Sequence, residues 1–262
     1  MPRSTSTVAL LAAAAAALWL GSCGRPSGQV RVLTYNIHHG EGTDGRLDLA
    51  RLATLIRSAR PDVVALQEVD LGTERADRVD QAVELARLTG MNVAFGANLE
   101  FQGGLYGNAV LSPFPVARHR NHALPNPSAG EPRGALEVTL VAGEGDTLVV
   151  VSTHFDHQGQ ASREAAAAAI NEVLGTGARP AILAGDLNAT PDNQALHRLR
   201  ERWVDTGREV AVTNPQPRPI DHVLYRPAAR WRTVAVQVLA DTVASDHQPV
   251  LVVLERRPPE NP

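Results

Sequence analysis

The sequence predicts an α/β fold, and three observations predict it. Short valine-rich apolar runs alternate with stretches whose apolar residues recur at helical spacing. Of the 262 residues, 44% are hydrophobic and 20% charged, enough to bury a core and too apolar for a disordered chain. Several apolar runs end in a carboxylate, an amide or an imidazole.

The N-terminus reads as an address. Arg3 precedes an apolar run of 13 residues, Val8 to Leu20, too short to cross a bilayer as a helix and suited to a signal peptide. Leu20-Gly21-Ser22-Cys23 resembles a bacterial lipobox. We therefore expect residues 1–22 to be a lipoprotein signal peptide, Cys23 to be lipidated, and 23–29 to be a tether. A plain signal peptide with an incidental cysteine is the alternative. A catalytic domain is expected over 30–255, and Pro258, Pro259 and Pro262 make 256–262 read as a disordered tail.

Along that domain Gln29 to Tyr35 reads as a first strand. Leu47, Leu52, Leu55, Ile56 and Ala59 fall at helical spacing and mark a helix that Pro61 ends. Asp62 to Val69 reads as a buried strand, and Val79 to Leu88 as a helix closed by Gly90. Asn108–Leu111, Ala135–Val141 and Thr147–Thr153 follow as strands, then an alanine-rich helix over Ser162–Leu174 stopped by Gly175. Pro180–Gly185 reads as a strand and Asn193–Arg200 as a short helix. Ile220–Tyr225, Thr233–Leu239 and Pro249–Leu254 read as the last strands. There is no internal linker and no repeat.

The chain has 25 basic and 28 acidic residues and a formal net charge of −3, which argues against a strongly basic nucleic-acid clamp. It contains no lysine, so every cationic side chain other than histidine is an arginine. Its one cysteine excludes an internal disulfide framework and a Cys-rich zinc site.

The chemistry lies at the strand ends. Asn36 follows VLTY, Glu68 follows VVALQ, His154 follows VVVST, and Asp186 and Asn188 follow AILAG. Asp221 opens IDHVLY, and Asp246-His247 precede PVLVVL. Buried separately, these groups would be costly. Gathered around a divalent cation or an anionic substrate, they make sense. Carboxylate and amide oxygens suit Mg2+ or Mn2+. A hard cation beside His and Asp is equipment for phosphoester hydrolysis.

TYNIHHG, QEVD, YGNAVLS, STHFDH, GDLNATP, IDHVLY and SDHQPV occur in this order from about Val30 to Leu254. Together they resemble the endonuclease/exonuclease/phosphatase superfamily, which includes pancreatic deoxyribonuclease, abasic-site endonucleases, neutral sphingomyelinases and inositol-polyphosphate 5-phosphatases. The resemblance implies a four-layer α/β sandwich: two mixed β-sheets packed face to face, with helices on both outer sides. It implies that Glu68 is the main Mg2+ ligand, with Asn36 and Asp246. It implies that Asp186, held by Asn188, positions or activates water. His247, oriented by Asp221, would be a general base or a phosphate contact, and His154 would bind the scissile phosphate. Arg75, Asn108 and Arg133 are further candidates for substrate binding. Arg133 in EPRGAL is expected to fork onto a phosphate.

The reading is thus a monomeric, Mg2+-dependent phosphoesterase, exported and anchored in the cell-envelope membrane by lipid. Its substrate would be a lipid headgroup, a nucleic acid or a small phosphoester. A nuclease is the alternative within the class, and a catalytically inactive binding lipoprotein on the same scaffold is the alternative outside it. A dimetal calcineurin-like enzyme lacks its early Asp-x-His here, and no G-x-S-x-G elbow marks a serine hydrolase.

Overall fold

In the first strand, β1 (Gln29–Asn36), neighbouring side chains serve two different cores. Val32 joins one apolar cluster and Leu33 another. β2 (Val63–Leu71) repeats the pattern: Val63 and Ala65 pack with Val32, while Val64 and Leu66 pack with Leu33. A strand with apolar residues on both faces must be covered on both faces. That requirement produces the layers.

The structure is a computed structural model and describes residues 28–143, 146–177, 179–210, 212–213 and 219–258. The expected signal peptide, Cys23 and the end of the expected tail lie outside the described residues. After β1 come α1 (Leu49–Ala59), β2, α2 (Gln81–Thr89), β3 (Asn92–Phe101), β4 (Gly104–Ser112), β5 (Val116–Ala123) and β6 (Gly134–Gly143). They are followed by β7 (Asp146–His154), α3 (Gln160–Val173), β8 (Ala181–Asp186), α4 (Gln194–Leu199), β9 (Val204–Asp205) and α5 (Thr206–Glu209). β10 (Val212–Thr213), β11 (Asp221–Arg226), β12 (Trp231–Val238) and β13 (Val250–Arg256) complete the order. Three-residue 3-10 turns lie at His38–Gly40 and Ala228–Arg230.

Among the described residues, one sheet has seven strands in the order β10-β12-β13-β1-β2-β4-β3 and the other has six in the order β5-β6-β7-β8-β11-β9. Each is mixed and contains a helix-linked parallel pair, β1 and β2 through α1 and β7 and β8 through α3; the seven-stranded sheet also pairs β10 with β12 in parallel. The sheets meet through Val63, Val110, Leu136, Val150, Ile182 and Val252. α1 and α2 cover one outer face with Leu52, Ile56 and Leu85. α3 and α4 cover the other with Ile170, Leu196 and Leu199. Each such side chain, fully buried, contributes about 1.5–3 kcal/mol. The result is the four-layer sandwich that the resemblance implies.

The first two helices, α1 and α2, start where an aspartate caps them. Asp48 accepts the Arg51 amide at 2.8 Å and Asp80 accepts the Val83 amide at 3.0 Å, so α1 and α2 begin after Leu47 and Val79. Four strands go unread in the sequence, β3, β5, β9 and β10; all four are edge strands, and β9 and β10 are two residues long. β5, VARHRNHA, is largely exposed and therefore polar, while Gly96 and Asn98 make β3 read as a loop. Two domain limits also shift. Gln29, placed in the tether, pairs with Glu255 inside β1. Arg256, placed in the tail, pairs with Trp231 in register, stacks on its ring and meets Asp146.

Candidate active site

The site forms where the carboxyl ends of the two helix-linked parallel pairs face each other. β1 ends at Asn36, β7 at His154 and β8 at Asp186, while β11 begins at Asp221. The second sheet sets His154, Asp186 and Asp221 in one row of its register.

Glu68 arrives by a bulge. Leu66 pairs with Ala109 and Val69 with Gly107, so Gln67 and Glu68 together oppose Asn108. Gln67 turns between the sheets, donating to Ser152 Oγ at 3.2 Å. Glu68 adopts φ +58, a conformation costing a side-chain-bearing residue about 1–3 kcal/mol, and lines a cleft of about 360 Å³. Asn188 also has a positive φ, +45.

Asp186 is the hub. Its Oδ1 accepts the Asn188 backbone amide at 2.9 Å. Its Oδ2 faces Asn36 Nδ2 at 3.2 Å, His154 Nε2 at 3.4 Å and His247 Nε2 at 3.6 Å. Asn36 Nδ2 also donates to Glu68 Oε1 at 2.9 Å, and Asn36 Oδ1 accepts the His38 amide at 3.0 Å. Behind His247, Asp221 Oδ2 takes Nδ1 at 2.9 Å. Ser245 fixes this loop by donating to the Asn36 carbonyl at 2.8 Å and accepting the His247 amide at 3.2 Å.

Burial, then the neighbouring Asp221 charge, raises the Asp186 pKa above the ordinary carboxylate range. Burial alone would lower His247. The Asp221 hydrogen bond and the charges of Asp221, Asp186 and Asp246 outweigh it and push the imidazole up to about 9. His154 moves the opposite way, held well below its ordinary value by burial and then by the Arg133 charge.

Two arginines also line the cleft. Arg75 is clamped by the fully buried Asp70, Nε to Oδ2 at 2.7 Å and Nη2 to Oδ1 at 3.0 Å, with Phe101 and Tyr106 against its faces. Arg133 is spoken for in a different way. Its Nη1 lies 2.9 Å from His154 Nδ1 and 2.7 Å from Glu131 Oε1.

The sequence-predicted residues converge. Glu68, Asp186, Asn188, His154, Asp246 and His247 line one cleft with Arg75 and Arg133. Asn36 bridges Glu68 to Asp186, and Asp221 backs His247. Asn108 is the exception. It is fully buried opposite the bulge and donates to the Gly134 carbonyl at 3.0 Å, so it spans the sheets instead of lining the cleft. Sequence reasoning missed Asp70, Tyr106 and Glu131. Each sits two residues from a residue it did choose, Glu68, Asn108 and Arg133.

Among the described residues, one group of His and Asp ligand atoms closes within 4.8 Å of one another: Asp186, Asp221 and His247. The resemblance places a cation elsewhere, on Asn36, Glu68 and Asp246. The second set fits better. In the first, His247 Nδ1 is already committed to Asp221. Glu68 and Asp246 bring hard oxygens into the cleft and, among the described residues, form no ion pair with an arginine or histidine.

Comparison with known proteins identifies the family. The model of the Endonuclease/Exonuclease/phosphatase family matches residues 33–247. The chain is 28% identical over 243 residues to the YbhP protein of Escherichia coli (strain K12), covering 84% of this chain and 94% of that one. The crystal structure of an endonuclease/exonuclease/phosphatase from Beutenbergia cavernae is similar at a TM-score of 0.72 and 27% identity, over 87% of this chain and 72% of the other. The mannosyl-6-phosphatase Bt3783 of Bacteroides thetaiotaomicron shares the fold at a TM-score of 0.72 and 19% identity, over 86% and 99% of the two chains. With the motifs in order, the fold matched and the polar groups in one cleft, the chain belongs to the endonuclease/exonuclease/phosphatase family of divalent-metal-dependent hydrolases.

Proposed function

We propose that this chain hydrolyses a small phosphoester with Mg2+ or Mn2+, using Asp186 as the base for water and His247 as a donor to the phosphoryl group. One observation carries the reading: Asp186 Oδ2 faces three nitrogens within 3.6 Å, in a cleft that also holds Glu68 and Asp246. Asn36, Glu68 and Asp246 would hold the ion, which when bound polarises a phosphoryl oxygen.

The residues divide the remaining work. Asp186, with its raised pKa, is suited to orient water and take its proton near neutral pH. Asn188 fixes the rotamer of that carboxylate through its backbone amide. Asp221 keeps His247 protonated at neutral pH, so Nε2–H can bond a phosphoryl oxygen as charge builds. Arg75, locked by Asp70, presents a preorganised cation to the substrate.

The cleft favours a small headgroup over a polymer. It is about 360 Å³, closed on one side by Leu99, Phe101 and Tyr106, and Asp70 and Glu131 offset its two arginines. Export and lipid anchoring through Cys23 are part of the proposal and are supported by the sequence of residues 1–23 alone. Loss of labelled-palmitate incorporation in C23A checks that part.

The central test is release of phosphate or alcohol from a panel of DNA, RNA, sphingomyelin, phosphoinositides and sugar phosphates, with and without EDTA. Turnover of one small ester that EDTA abolishes, Mg2+ restores and D186N lacks is the expected result. Metal-independent turnover, or wild-type turnover by D186N, overturns the mechanism. Plasmid nicking as the main activity selects the nuclease reading.

A further inference from the structure

Arg133 and His154 meet at a contact whose chemistry allows one arrangement of protons. Arg133 Nη1 lies 2.9 Å from His154 Nδ1, and both side chains are almost wholly buried. A guanidinium carries N–H donors and no acceptor. The ring nitrogen facing it must therefore offer a lone pair, which leaves the imidazole proton on Nε2.

A second contact pulls the other way. Asn188 Nδ2 lies 3.2 Å from His154 Nε2, and it too is an N–H group. Three features decide between them. The arginine bond is charge-assisted and shorter, and such bonds are roughly twice as strong as neutral ones. Asn188 Nδ2 has another acceptor, the Phe155 carbonyl at 3.1 Å. Asp186 Oδ2, 3.4 Å from Nε2, favours a proton there. The opposite tautomer would set two N–H groups against each other at the arginine and aim a lone pair at a carboxylate.

We propose that Arg133 is a positioning residue that locks His154 as the Nε2–H tautomer, making the imidazole a fixed hydrogen-bond donor into the cleft and excluding it from proton transfer. Glu131, 2.7 Å from Arg133 Nη1, holds the guanidinium in place. Arg133 acts on the substrate through His154. That the acceptor is a phosphoryl oxygen rests on the function proposed above; the tautomer does not. Losing the bond that orients such a donor should cost about 10–100-fold in turnover.

The test is long-range 1H–15N correlation spectroscopy of the full-length 15N-labelled protein, metal-free at pH 7, with H154Q assigning His154 among the nine histidines. Wild type should show His154 protonated at Nε2 and bare at Nδ1. R133M, which keeps an apolar stem and no donor, should move the proton to Nδ1, with Asn188 donating to Nε2. R133K should keep the wild-type pattern. With bis-p-nitrophenyl phosphate, kcat should fall about 10–100-fold in R133M with KM within threefold, and R133K should recover most of it. A wild-type His154 protonated at Nδ1, or an R133M spectrum identical to wild type, overturns the proposal. Should R133M fail to fold, the wild-type and R133K spectra still decide. If wild type hydrolyses no phosphoester, the proposed function falls while the spectra judge the tautomer independently.

Discussion

Replacing Asp221 with asparagine should damage activity and alter the pH dependence of stability, each by an amount the structure bounds. Asp221 Oδ2 accepts His247 Nδ1 at 2.9 Å, with the carboxylate buried. A hydrogen bond to a charged group contributes roughly 1.5–3 kcal/mol, so a donor weakened by that amount at the transition state loses about 10–150-fold in kcat. The stability effect follows from His247. Its folded pKa of about 9 exceeds the ordinary 6.5, so folding is favoured by about 3 kcal/mol below pH 6.5, and that contribution disappears as pH rises through 9. Asp186 has the same pH sense for the opposite reason. Its raised pKa makes folding costlier as pH climbs past the ordinary carboxylate range. Metal-free wild type should therefore lose stability between pH 6 and 9 in urea titrations, and D221N should show a flatter profile. D221N turnover within twofold of wild type at pH 7, with parallel stability profiles, would refute the reasoning.

Glu68→Gln should weaken Mg2+ binding by calorimetry at least tenfold and reduce turnover about 100-fold or more, since under the proposed site the cation would lose a charged ligand; unchanged affinity would move the ion away from β2. Asp70→Asn removes the clamp on Arg75 while keeping its shape, so KM should rise about tenfold with kcat nearly unchanged; steady-state kinetics decides. Ile56→Ala, in the outer core under α1, should cost about 2–5 kcal/mol in urea unfolding and leave kcat of the folded protein unaltered.

The parts of the fold that sequence reveals are those where burial is two-sided. Val63 to Leu66 must feed two cores, so the run is uninterruptedly apolar and reads as a strand. β3 and β5 lie at the sheet edges, where one flank meets solvent and polar residues are selected, so the alternation fades. The site divides along similar lines. Asn36, His154 and Asp186 terminate central strands, and a polar residue ending an apolar run stands out. The bulge that aims Glu68 leaves no such mark, because Gln67 and Glu68 both occupy strand positions until pairing is known. The commitment of Arg133 to His154 is equally silent: the residues lie 21 positions apart, and which end of an arginine is free is a fact of packing.

Charge balance gives the cleft a binding order. Glu68, Glu131, Asp186 and Asp246 line it, and Asp221 lies just behind. Against these stand Arg133 and the protonated His247, because Asp70 already offsets Arg75. The metal-free site is therefore anionic, and a phosphate entering it meets repulsion in a partly buried setting where water screens poorly. A divalent cation at Asn36, Glu68 and Asp246 would reverse most of that deficit before an anion arrives. Inorganic phosphate should accordingly bind at least tenfold more tightly with Mg2+ than in EDTA, and by linkage Mg2+ should bind more tightly with phosphate by the same factor. Calorimetry measures both legs of that cycle. Equal phosphate affinity with and without the metal would mean that Arg75 and Arg133 suffice for the anion, and that the carboxylates opposite them serve the fold instead of the chemistry.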